Sequence, residues 1–155
     1  MSGYYRSMSF WISVDDIDPA SGVRKSVALP SNAGGFQSWG REVYGSDLAI
    51  ELGLSILPRL AADGYLESEG ADLQRVRDEA MLLHAHAHRL GLDDCAEPTF
   101  NRVDPDGTRH NVVVGGPTED EANAVAAVRD RLENIMVAAE IALALGTGRG
   151  RLSIT

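Results

Sequence analysis

The strongest constraint in this sequence is one long helix over residues 117 to about 145. Pro117, Thr118 as N-cap and Glu121 three residues on have the spacing of a capping box. Glu119, Asp120 and Glu121 set negative charge at the positive end of the helix dipole. Val125, Val128, Leu132, Ile135, Ala139 and Ala142 then recur at alternating three- and four-residue steps, which is one packing seam. Residues 136–145 are apolar on nearly every side, Glu140 excepted. Such a helix spans ~40 Å at 1.5 Å per residue and calls for a domain wrapped around it. Glu140 has the setting of a buried acid, but with Arg129, Asp130 and Glu133 it reads as a narrow polar stripe facing solvent, opposite the seam.

A second helix follows the same rule. Leu73, Val76, Ala80, Leu83, Ala87 and Leu90 keep the three-four spacing, Gly91 supplies the C′ residue and Leu92 the apolar contact beyond it. Arg75, Arg77, Asp78, Glu79 and three histidines fall on its other faces. The two seams are expected to pack as an antiparallel or nearly aligned pair. Residues 47–57 satisfy both the strand and the helix template. Ser46 or Asp47 as a cap, Pro58 as a break and Asp63-Gly64 as a stop favour a broken helix over residues 47–62.

Two hairpins complete the outline. Residues 8–14 and 23–29 alternate around Asp15-Asp16-Ile17-Asp18-Pro19-Ala20-Ser21-Gly22, and residues 99–103 and 108–114 flank Asp104-Pro105-Asp106-Gly107. Gly34-Gly35 is expected to turn the chain into a short helix carrying Phe36, Trp39 and Val43 on one face, with Trp39 and Tyr44 as core anchors. Gly146-Thr147-Gly148-Arg149-Gly150 reads as a flexible exit, and residues 151–155 as an edge strand or a frayed end. The expected fold is a single α+β domain over residues 1–155. Its two β-hairpins form a small antiparallel sheet packed on three to four helices, with the long C-terminal helix central.

Charge narrows the function. A net charge of -9, from 14 basic and 23 acidic residues, leaves no excess of cations to neutralise phosphates and argues against nucleic-acid binding. Lys25 is the only lysine; with so much Ala, Gly, Asp and Val this reads as high-GC, bacterial coding. Cys95 is the only cysteine, so no disulfide forms within the chain. Asp93 and Asp94 before it discourage a thiolate. There is no signal-peptide core and no apolar run of ~18 residues, which points to a cytoplasmic chain away from membranes.

The residues that carry chemistry are few. His84 and His88 are four apart, so on a continuous helix they share a face and form half of a zinc site. His110, Cys95, Asp93, Asp94 or Glu140 would complete it, yet Ala85 stands where a metalloprotease motif has Glu. Local hydrogen bonding is the stronger reading. The aspartate loop lacks the closing Glu of a calcium loop, and no G-x-S-x-G elbow or phosphate-binding glycine motif is present. The sequence therefore reads as a non-enzymatic acidic protein-binding module without a cofactor, of the immunity-protein or antitoxin kind, engaging a basic toxin or enzyme. Its candidate contacts are Asp15, Asp16 and Asp18 with Glu67, Glu69 and Asp72. The alternatives are a zinc- or ligand-binding protein using His84 and His88, and a homo-oligomer, a homodimer in the simplest case, joined through the apolar end of the last helix.

Overall fold

Strand β1 (Ser9–Ile17) is the first element of the computed structural model, which describes residues 9–91, 99–103, 105–113 and 117–155. The side chains of residues 99–103, 109–113 and 117–123 lie outside the described set, and with them the capping box of the last helix. Along β1, Phe10, Ile12 and Val14 are buried while Trp11 and Ser13 point away, the period-two pattern of a sheet covered on one face. Its second half pairs antiparallel with β2 (Arg24–Val27), from Val14 opposite Val27 to Ile17 opposite Arg24. The hairpin is the expected one, but Asp15 and Asp16 belong to the strand, and the turn is closed by Asp18. The Asp18 carboxylate accepts the Ala20 N–H at 2.8 Å, and its own N–H donates to the Val23 carbonyl at 2.9 Å.

The first half of β1 pairs with β3 (Ala33–Phe36). Gly34-Gly35 thus continues a strand, where the sequence suggested a turn into a helix. A side chain at Gly34 would stand 3.0 Å from Phe10 Cβ, so the glycine allows the two strands to close. Phe36 is half-exposed and meets Trp39 edge-to-face at 5.5 Å. The expected helix over Phe36, Trp39 and Val43 is reduced to a π-helical turn, Gly40–Tyr44, preceded by Trp39 as its N-cap, and Trp39, Val43 and Tyr44 are all buried as anchors.

The end of the chain departs most from expectation. Strand β7 (Gly150–Ile154) lies neither frayed nor at an edge: it runs between β1 and β4 (Leu66–Glu69), antiparallel to both. The sheet order is β2-β1-β7-β4, with β3 beside β1. Gly150 makes this possible, because a Cβ there would stand 2.1 Å from the carbonyl oxygen of Ala142. The second hairpin, β5 (Thr99–Val103) with β6 (Arg109–Val113), forms a separate two-stranded ribbon, so the main sheet is built from one hairpin and three further strands.

The helices cover the inner face of the sheet. Residues 47–62 form a broken helix, α1 (Asp47–Glu51) and α2 (Arg59–Ala62). Ser46 caps α1 through the Ala49 N–H at 3.2 Å, and Gly53 at φ +81° turns the chain between them. Helix α3 (Ala71–His86) buries Leu73, Val76, Ala80 and Leu83, and helix α4 (Pro117–Ala144) buries Val128, Leu132, Ile135, Ala139 and Ala142. The pair is antiparallel, with Arg77 on Glu140 at 3.1 Å and His84 on Glu133 at 3.0 Å. The polar stripe of α4 therefore flanks the α3 seam, where the sequence placed it opposite. Helix α4 packs against β1, β3 and β7, and Ala138, Ala139 and Ala142 of its apolar end are buried in the common core.

One buried carboxylate orders the break between α1 and α2. Glu79, 9% exposed on α3, accepts the N–H groups of Ile56 at 2.9 Å, Leu57 at 3.0 Å and Ser55 at 3.2 Å. The Ser55 hydroxyl also meets it at 3.3 Å and accepts from Arg75. Three successive amides with no helical partner are satisfied by one side chain. Glu79→Ala is expected to lower stability in urea unfolding by about 3 kcal/mol, because it leaves buried donors unpaired, and Glu79→Gln by less, because one acceptor oxygen remains.

Tyr44 gives a second test. Its hydroxyl donates to the Gly34 carbonyl, and burial pushes the phenol well above its ordinary value, with Arg131 opposing in part. A folded value above the unfolded one means that this contribution is complete below pH ~10 and is lost as pH rises through the folded value. The Tm of the wild type should fall steeply above pH ~10, and that of Tyr44→Phe should fall less steeply.

Candidate functional site: the open face of the sheet

The outer face of the five-stranded sheet has no helix over it among the described residues, and the strand registers fix what stands on it. One row crosses the sheet as Glu69, Arg151, Asp15 and Ser26, and the next as Glu67, Ser153 and Ser13. Trp11 and Thr155 form the following row, exchanging main-chain hydrogen bonds of 2.8 and 3.0 Å. Trp11 is 52% exposed there. Tyr65, immediately before β4, is also exposed. The face thus has an aromatic end and an acidic end.

The six acidic candidates separate on this frame. Asp15, Glu67 and Glu69 stand on the open face, brought together from distant parts of the sequence because β7 joins β1 to β4. Glu69 is paired with Arg151 at 3.0 Å. Asp16 lies on the inner phase at the sheet end and is gripped by Arg149 at 2.9 and 3.0 Å. That carboxylate raises the Arg149 guanidinium above its ordinary value. Asp18 builds the hairpin turn, and Asp72 sits in the first turn of α3 with Arg75 at 3.6 Å. Asp15 and Glu67 have no ion pair among the described residues. Exposed pairs of this kind are each worth about 0–1 kcal/mol, so Arg151 leaves Glu69 available to a stronger cation.

The histidines are arranged differently from the sequence expectation. Helix α3 ends at His86 and continues as a 3₁₀ turn, Ala87–Arg89, so His84 and His88 do not share one regular α-helical face. The His84 ring meets Glu133, and its carbonyl accepts from Arg129 at 3.2 Å. His86 lies 3.4 Å from Arg89. Of the proposed third ligands, Glu140 is engaged by Arg77. Asp93, Asp94, Cys95 and the His110 side chain lie outside the described residues. Among the described residues no group of three His, Cys, Asp or Glu side chains is placed to hold a metal ion.

A cleft of about 350 Å³ opens between the π-helical turn and the end of α3. Arg41 and Arg89 line it together with Glu42 and Asp47, so it presents both signs of charge to any ligand. No helix among the described residues is long and apolar enough to cross a membrane. No family model, curated protein or solved structure matches this chain.

Trp11 is the site residue that the sequence did not single out. Its signal is phase: a large aromatic occupies the same alternation as Ser9 and Ser13, while Phe10, Ile12 and Val14 fill the core phase. A tryptophan on the outward phase of an amphipathic strand exposes apolar area for which intramolecular packing gives no reason.

The acidic turn beside this face is testable by titration. Hydrogen bonds from the Ala20 and Ser21 main chain hold the Asp18 carboxyl below its ordinary value. A depressed folded value means that its contribution is present above the unfolded value near 3.9 and is lost as pH falls through the folded one. NMR titration should show the Asp18 midpoint below ~3.9. Asp18→Asn should remove that acid-side titration.

Proposed function

We propose that this chain is an acidic protein-binding module of the immunity-protein or antitoxin kind, engaging a basic protein partner through the open face of its sheet. What carries the reading is the company Trp11 keeps: a half-exposed tryptophan on the same face as Asp15, Glu67 and Glu69. Binding energy in such interfaces concentrates in a few aromatic or arginine anchors that are dry at the centre, and a charged surround steers the approach and selects the partner. Trp11 has the first role and the carboxylates the second. Asp15 and Glu67 are the more effective carboxylates, since Glu69 already shares its charge with Arg151. The net charge of -9 adds long-range attraction to any basic enzyme. Neutralisation needs no chemistry in this protein: covering a cationic substrate groove is enough.

The test has two steps. The tagged chain is used to capture a stoichiometric basic partner from its native lysate, and binding is then measured by calorimetry with variants. Trp11→Ala should weaken the complex by about 30-fold or more, corresponding to ~2 kcal/mol for an anchor residue, with an unchanged unfolding midpoint. Asp15→Lys with Glu67→Lys should slow association and flatten its dependence on salt. The partner's own activity should fall on binding. A partner that binds both variants as it binds the wild type, or the recovery of no stoichiometric partner, overturns the reading.

A further inference from the structure

The two edges of the five-stranded sheet are unlike. Strand β2 presents Arg24-Lys25-Ser26-Val27 at one edge, and β4 presents Leu66-Glu67-Ser68-Glu69 at the other. Each is four residues long, and neither is paired on its outer side among the described residues. An edge strand exposes unpaired N–H and C=O groups, and charge is one way in which proteins keep such edges from pairing. Here the charges have opposite sign at the two edges. Pairing β4 with β4 sets carboxylates against carboxylates, and pairing β2 with β2 sets cations against cations. Pairing β4 with β2 satisfies both.

Direction and face agree with that pairing. Strands β1 and β4 run one way, and β2 and β7 the other, because every neighbouring pair is antiparallel. A second copy placed beside β4 in the same orientation therefore offers its β2 antiparallel to β4, and the alternation continues without a break. Val27 faces the core side with Val14, while Ser26 faces outward with Asp15. On β4, Leu66 and Ser68 are buried and Glu67 and Glu69 are exposed. One register keeps inner with inner and outer with outer: Arg24 opposite Glu69, Lys25 opposite Ser68, Ser26 opposite Glu67 and Val27 opposite Leu66. It sets Arg24 directly on one carboxylate and diagonal to the other, and stacks Val27 on Leu66. It also sets Lys25 opposite Ser68, a buried residue whose hydroxyl has no hydrogen-bond partner among the described residues.

We propose that this protein self-associates head to tail, the β2 edge of one copy adding to the β4 edge of the next in this register. The contact is heterologous, so it extends into a chain of protomers rather than closing as a two-fold dimer, and it repeats the Trp11 face along the assembly. Four residue pairs make a small contact, so the association is reversible and sensitive to salt. The inference stands apart from the partner reading, since it requires no other protein.

Sedimentation equilibrium on the purified full chain tests it, at about 10 mM ionic strength where the screening length is ~30 Å. The weight-average mass should rise with concentration and return toward the monomer in high salt. R24E/K25E and E67K/E69K change exposed side chains only, and each should lose the rise while keeping the wild-type circular dichroism and Tm. An equimolar mixture of the two variants, and the variant carrying all four changes, should both recover it. A wild-type chain that stays monomeric at high concentration overturns the proposal, as do charge variants that associate like the wild type or a mixture of the two that fails to recover the rise. Loss of partner binding in either variant has no bearing on these masses, so the two readings fail separately.

Discussion

Residues 150–154 run between β1 and β4 and pair with both. The pairing sets Ile12 against Ile154 and Ile154 against Leu66, so three distant segments contribute one buried layer. Everything outside the layer depends on it. The helices need a continuous inner face on which to bury their seams, and the carboxylates of β1 and β4 share an outer face only because β7 holds their strands in register. The junction is tight: Gly150 lies against the Ala142 carbonyl of α4, leaving no room for a side chain. The last helix and the last strand are thus fixed to each other as well as to the core.

The parts of the fold legible in the sequence are those written in local periodicity. The seams Leu73, Val76, Ala80, Leu83 and Val128, Leu132, Ile135, Ala139 face the core as their spacing requires. The first hairpin, the broken helix and the second hairpin also lie where turn and cap residues place them. The failures share one cause, in that the deciding contact is made by a distant residue. Gly34-Gly35 has the composition of a turn, and it becomes a strand because Phe10 needs a neighbour without a side chain. Glu79 has the look of a solvent-facing helix charge until the amides of Ser55, Ile56 and Leu57 are brought to it. Residues 151–155 carry a strand alternation, but nothing local tells a central strand from an edge.

The surface chemistry shows the same division. Six acidic residues could be named from composition, yet which of them present usable charge depends on where Arg149, Arg151 and Arg75 fall, and those arginines are placed by tertiary structure. Trp11 was visible as a residue out of phase. Which charges share its face depends on the pairing of β7 with β1 and β4. The histidines are the converse case: the helix tightens to a 3₁₀ turn after His86, between the two residues whose spacing suggested metal.

The central place of β7 also bears on the order in which this chain acquires its structure. Strand β1 and its central partner β7 pair across every other element of the fold, Ile12 lying opposite Ile154. The hairpin with β2 and the α3–α4 pairing rest on contacts of shorter range and are available earlier, but the buried layer of the sheet waits for β7. Contacts of such wide sequence separation slow folding, because the intervening loop must be closed before any of them is rewarded. Until then Phe10, Ile12 and Val14 remain a strand without its central neighbour, and it is in this interval, rather than in the finished fold, that the protein is most open to mispairing.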